Sequence, residues 1–154
     1  MAVSQEGKPV MDRAKVGADV ACLVLAAGKG TRMKSQLPKV LHQVAGRPMI
    51  GWTLNTLAQI GVGSIGVVIS DDQPQLVDYL RKHRHLAVAT QKNRLGTGDA
   101  VAAAATLFAK VAVPSFAAGE RIEGLPMTQP YVLIMAGDVP GVSPNSLRQF
   151  LAGT

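Results

Sequence analysis

Residues Val20 to Leu25 read VACLVL, an almost unbroken apolar run that stops at the small residues Ala26, Ala27 and Gly28. A strand that is apolar on both faces must be covered on both, which is the situation of a parallel sheet held between two layers of helix. The rest of the chain is punctuated accordingly. Further apolar runs, Ile65 to Ile69, Leu86 to Ala89 and Tyr131 to Met135, alternate with stretches whose apolar residues fall at helical spacing. One such stretch opens at Pro48 and carries Met49, Ile50, Leu54, Leu57 and Ala58 up to Gly61; another places Leu76, Val77 and Leu80 after Pro74. An Ala-rich run from Ala100 to Ala109, capped by Thr97 or Asp99, and a last helix starting near Ser143 and Pro144 complete the series. Proline is tolerated in a first helical turn and glycine commonly ends a helix. The expected fold is α/β: a Rossmann-like, mostly parallel sheet with helices on both faces and its four long strands in the order 3-2-1-4.

A chain of 154 residues buries enough surface for one core. Residues 1–18 mix Lys, Asp, Glu, Gly and Pro without periodicity and read as a disordered leader, which leaves 19–154 as the folded domain. Pro114 to Pro130, with no apolar period, reads as a surface loop. The formal charge of +6 suits an anionic ligand. Its Lys and Arg residues are dispersed, and Trp52, Tyr79 and Tyr131 do not alternate with them, which argues against nucleic acid as the partner. Cys22, the one cysteine, lies inside the first apolar run and packs there as a small hydrophobe. Neither a secretory signal nor a run of roughly 18 apolar residues is present, so the sequence reads as cytoplasmic with no membrane role.

Sheets of this kind bind ligands beyond the carboxyl ends of their strands, where the winding reverses. In the order 3-2-1-4 that point lies between the first and fourth strands, so Ala26 to Lys34 should face Gly137 to Gly141. In the first loop small residues let backbone N–H groups approach phosphate oxygens, while Lys29 and Arg32 supply fixed positive charge. The loop is neither a Walker A sequence nor a GxGxxG fingerprint, because Met33 stands five residues after Gly28. A tight turn for helix packing is its plainer reading. Lys39, fixed behind Pro38, is placed to return toward the same phosphates, and Asp138, at the end of the fourth strand, is a candidate Mg²⁺ ligand. A solvated lysine and a turn-forming aspartate are the alternatives. Gln91 to Gly98 offers a glutamine for a nucleobase edge and glycines at the start of the Ala-rich helix. His42 lies near this region, whereas His83 and His85 belong to a basic run at a helix end.

LAAGKGTRM, LPKVLHQVAGRPMI, QKNRLGTGDAV and GDVP occur in this order, and together they resemble the N-terminal uridylyltransferase domain of bacterial bifunctional N-acetylglucosamine-1-phosphate uridyltransferases. The resemblance implies a GT-A-like nucleotidyltransferase fold, incomplete at the C-terminus, for residues 19–154. It also implies a reaction in which UTP and N-acetylglucosamine 1-phosphate give UDP-N-acetylglucosamine and pyrophosphate, with Mg²⁺ as cofactor. By that resemblance Leu25, Ala26, Ala27 and Gly28 hold the nucleotide, Arg32 and Lys39 are the catalytic cations, Gln91 reads uracil, Gly96 and Thr97 complete the base pocket, and Asp138 binds the metal. Arg94, Asp99, Ala136 and Gly141 depart from the usual residues of the group. Members of the group continue with further strands that carry the sugar site, a second metal ligand and then an acetyltransferase domain. A single aspartate therefore predicts weak metal binding and impaired turnover by this chain. The uncovered edge of the fourth strand leaves a homo-oligomer open. A non-catalytic nucleotide-binding remnant, or a CTP- or GTP-dependent enzyme of the molybdopterin or methylerythritol phosphate type, are the competing readings.

Overall fold

The computed structural model describes residues 17–83, 85–93, 95–108 and 129–153; most of the leader, Ala109 at the end of the Ala-rich run and most of the loop from Pro114 to Pro130 lie outside the described residues. Strands β1 (Val20–Leu25), β4 (Ser64–Ser70), β5 (Leu86–Gln91) and β6 (Tyr131–Ala136) form one sheet in the order β5-β4-β1-β6, every pair parallel. Counted as the four long strands, this is the expected 3-2-1-4. The order follows from pattern: β1 is buried along nearly its whole length, so it takes a central place with a neighbour on each side.

Alternation along β1 divides the core. Val20, Cys22 and Val24 point to a layer built from α1 (Met49–Ile60), α2 (Pro74–Leu80) and α5 (Pro144–Ala152), where Ile50, Leu57 and Leu76 are fully buried and Leu147 and Leu151 nearly so. Ala21 and Leu23 point the other way, to α3 (Thr97–Ala103) and α4 (Ala105–Phe108), against Ala100, Ala104 and Leu107. The alanines on this side let the helix backbone sit close to the sheet. Burial pushes the Cys22 thiol up to about 12, so it stays protonated and packs as an apolar side chain.

Helix limits follow local chemistry. Gly61, at φ 69°, ends α1, and Ser143 opens α5 by accepting from the Ser146 N–H at 3.0 Å, with Pro144 in the first turn. Two features depart from the periodicity. Pro48 stands just before α1, in extended backbone, because it closes a small antiparallel ladder between β2 (Gln43–Val44) and β3 (Arg47–Pro48). The Ala-rich run is also broken at Ala104 into two short helices. The hairpin turns through Ala45 and Gly46, both at positive φ, as a two-residue turn matched to strand twist requires. Trp52 holds it to α1: its indole N–H donates to the Val44 carbonyl at 2.8 Å, and the Arg47 guanidinium lies 4.7 Å from its ring centre.

Registers place the site. Leu25 pairs with Val68 on one side and with Ala136 on the other, so the loops after β1, β4 and β6 leave the sheet at one level. Gly17, within the expected leader, is buried, and its carbonyl accepts from the Val20 and Gly63 N–H groups at the opposite end of β1.

Candidate functional site

At the carboxyl ends of β1 and β6 lies an open cavity of about 330 Å³. Leu25, Ala26, Gly28, Arg32, Lys39 and Asp138 are among the residues that line it. The cationic turn after β1 and the acidic turn after β6 therefore meet, as the position of the winding reversal predicts.

Each side chain is brought there by a local device. The loop leaves β1 at Ala26, whose N–H is held by the Val68 carbonyl at 2.8 Å. It then turns through Gly30 at φ 60° into a 3₁₀ turn, Thr31–Met33, that carries Arg32. Gly30 is required twice over: its φ is one that side chains disfavour, and a β-carbon there would lie 2.7 Å from that of Lys39. The stem of Lys39 thus rests against the loop backbone. Lys39 itself opens a second 3₁₀ turn, Lys39–Leu41, behind Pro38, and Val40 and Leu41 bury to anchor it.

On the facing side, Gly137 donates its N–H to the Leu25 carbonyl at 2.8 Å, which pins the end of β6 to the end of β1 and sets Asp138 at the rim. The Asp138 carboxylate accepts an ion pair from Lys39 Nζ, with both side chains partly exposed. At that exposure the pair contributes less than about 1 kcal/mol to stability. It is better seen as two opposite charges kept in reach of one ligand. Arg32 has no carboxylate partner among the described residues.

Ala27, Gln91, Gly96 and Thr97 do not line this cavity. Ala27 is buried against the α3 layer. Gln91 is buried at the end of β5, where its side-chain amide donates to the Gly96 carbonyl at 3.1 Å and to the Asp99 carboxylate at 2.7 Å. Asp99 also accepts from the Leu95 N–H at 3.3 Å, so it braces the loop that leads into α3. A base-reading glutamine would have to exchange these bonds for ligand bonds.

A divalent cation at this rim would depend on Asp138, the one carboxylate among the described residues that line the cavity. Among the described residues no cluster of three or more His, Cys, Asp or Glu side chains is present. One carboxylate fits a cation of the magnesium type, which is commonly held by one or two carboxylates together with substrate phosphates. The donor set agrees with that arrangement and with no all-protein cage.

Residues 22–154 match the family described as the MobA-like NTP transferase domain. The chain belongs to this family. Among curated proteins this NTP transferase chain is similar to the bifunctional protein GlmU of Geotalea daltonii, 37% identical over 134 residues, which are 87% of this chain and 26% of that protein. It is 49% identical to the bifunctional protein GlmU of Hyphomonas neptunium over 82 residues, 53% of this chain and 18% of that protein. The resemblance drawn from the motifs therefore holds, and the chain spans about a quarter of the length of the curated relatives it matches. In fold it is similar to a nucleotidyl transferase from Methanothermobacter, with a TM-score of 0.57 and 20% identity over 86% of this chain and 56% of that one. It is also similar to Rv0371c of Mycobacterium tuberculosis, crystallised with manganese, with a TM-score of 0.56 and 20% identity over 86% of this chain and 57% of that one. The α/β nucleotidyltransferase fold follows. Among the described residues no helix is long and apolar enough to cross a membrane.

Two features of this rim are invisible to motif reading. Val40 joins the cavity wall through the second 3₁₀ turn. Gln73, buried at the start of α2, bonds to the loop after β1. The weak signal for the latter is a glutamine directly before Pro74, a place where polar side chains cap helices.

Proposed function

We propose that this chain is the nucleotide-binding part of a uridylyltransferase that joins UTP to N-acetylglucosamine 1-phosphate and releases pyrophosphate. The observation that carries the reading is the meeting of Arg32, Lys39 and Asp138 around one cavity at the sheet's rim. Similarity to the GlmU proteins supports the choice of uridylyl transfer. In the reaction an oxygen of the sugar phosphate attacks the α-phosphorus of UTP, the bond to the β-phosphate oxygen breaks, and pyrophosphate leaves with the electron pair. Little proton transfer is needed, so the protein's work is positioning and charge neutralisation.

In this reading the backbone from Leu25 to Gly28 borders the nucleotide, Arg32 faces the α-phosphate, and Lys39 bridges phosphates of both substrates. Gln91, Gly96 and Thr97 form the uracil pocket once the Gln91 amide turns from Asp99 to the base. Asp138 would hold magnesium, which, when bound, spreads the charge of the triphosphate. Lys39 already neutralises that carboxylate, and phosphates that draw Lys39 away free Asp138 for the cation.

Calorimetry with the four nucleoside triphosphates and Mg²⁺, beside pyrophosphate release in the presence of N-acetylglucosamine 1-phosphate, tests the reading. UTP preference with release supports it; equal binding of CTP removes the uridylyl assignment. Binding of UTP without release supports a second reading, a nucleotide-binding unit without turnover, which the single carboxylate among the described residues lining the cavity favours.

Gly30→Ala is expected to weaken UTP binding about tenfold while the fold persists, through a strained φ and pressure on the Lys39 stem. Calorimetry and circular dichroism together check this.

A further inference from the structure

The phosphate-loop backbone is fastened to the rest of the sheet through a side chain that lies outside every motif of the family resemblance. Gln73 is 4% exposed and stands at the N-terminal boundary of α2. Both ends of its side-chain amide are used. Its oxygen accepts from the Ser70 N–H at 2.9 Å, and its nitrogen donates to the Ala26 carbonyl at 3.1 Å. Its own backbone carbonyl accepts from the Leu76 and Val77 N–H groups, so the residue is rooted in the first turn of α2.

Ala26 is therefore gripped on both sides, its N–H by the Val68 carbonyl and its carbonyl by Gln73. A trans peptide is planar, so fixing the Ala26 carbonyl also fixes the direction of the Ala27 N–H and of the chain entering Gly28. A second cavity, about 260 Å³, lies behind the loop and is lined by Lys29, Thr31, Pro38, Asp72 and Gln73. Ala26 and Ala27 are buried, whereas Gly28, Lys29 and the residues from Thr31 to Lys34 are exposed, so the exposed part of the loop depends on the direction in which these two residues launch it. A glutamine is suited to the task in a way glutamate is not, since only the amide can donate to a carbonyl.

We infer that Gln73 is a positioning residue for the nucleotide: it sets the loop after β1 in its binding geometry through Ala26, without touching the ligand. The inference rests on the nucleotide-binding reading above. Two variants separate its parts. Gln73→Glu keeps an acceptor for the Ser70 N–H and loses only the donor to Ala26, while Gln73→Met loses both bonds and adds no charge. Native-state hydrogen exchange at the Ala26 amide, which the Val68 carbonyl protects, should quicken about tenfold in both, and at the Ser70 amide in Gln73→Met, with β5 amides little changed. UTP affinity should fall about tenfold in both, and Gln73→Asn should recover little of it because its amide is one methylene short.

Faster exchange with unchanged UTP affinity would overturn the positioning role, as would an affinity loss confined to Gln73→Glu, which would mark a charge effect. Exchange that quickens equally throughout the sheet would reduce Gln73 to a general stabilising residue. A wild-type chain that binds no nucleotide removes the functional reading and the positioning role with it, whereas the exchange measurement still reports whether the tether exists.

Discussion

Under the proposed function, Arg32→Ala is expected to lower uridylyl transfer by about 10²- to 10³-fold while UTP affinity changes by less than about tenfold. The asymmetry follows from where the residue stands. Arg32 is carried on a short 3₁₀ turn at the mouth of the cavity, largely exposed, and no carboxylate engages it among the described residues. A guanidinium held this way is not part of the fold's own charge pairing. Its planar fork suits phosphate oxygens whose charge would grow as the α-phosphorus is attacked, so in the proposed reaction its contribution should be larger in the transition state than in the bound substrate. Arg32→Lys should recover part of the loss, since the charge returns without the fork. Pyrophosphate release under saturating substrates, beside calorimetric UTP affinity, checks both variants. Equal losses in affinity and turnover would assign Arg32 to ground-state binding.

Asp138→Asn should lower transfer by about 10²-fold and abolish most of the metal dependence of UTP binding. Asparagine keeps the size and one acceptor oxygen, so the turn after β6, which Gly137 fixes to Leu25, is retained. What is lost is the negative charge that holds Lys39 and would hold a divalent cation. Calorimetric titration of UTP with and without Mg²⁺, and paramagnetic titration with Mn²⁺, read this directly. In the wild type the two UTP isotherms should differ; in Asp138→Asn they should nearly coincide. Metal dependence that survives the substitution would place the cation elsewhere.

Much of the architecture could be read from the chain before its structure. The run from Val20 to Leu25 is apolar on both faces because β1 is central, and that single fact orders the sheet. Gly61 and the Ser143–Pro144 pair ended and opened helices for local reasons that no tertiary contact overrides. The hairpin of β2 and β3 has no signature in the sequence, because two-residue strands carry no period and its turn is Ala-Gly in place of the Asn-Gly that marks such hairpins.

At the site, the rule for sheet reversals picks out Arg32 and Asp138 and the preceding Pro38 points to Lys39, and all three line one cavity. The ion pair between two of them is a matter of side-chain reach and has no sequence signature. Gln91 was legible as a polar residue before a glycine loop, but its bond to Asp99 was not, because the pairing depends on how the chain folds back across Gly96. Gln73 is the extreme case: its partner Ala26 is distant in sequence and presents only a backbone carbonyl, a group every residue possesses.

The central place of β1 also sets an order of assembly. Its neighbour β4 follows after one helical crossover, whereas its other neighbour, β6, comes only near the end of the chain, with Val20 meeting Tyr131. Closing the longer loop has the larger entropic cost, so β1, α1 and β4 are expected to gather before β6 docks. Trp52, the chain's one tryptophan, lies wholly within the early part, while Asp138 arrives with the late one. On refolding, the cationic wall of the cleft is thus expected to form before its acidic wall, with the Lys39–Asp138 pair among the last contacts made.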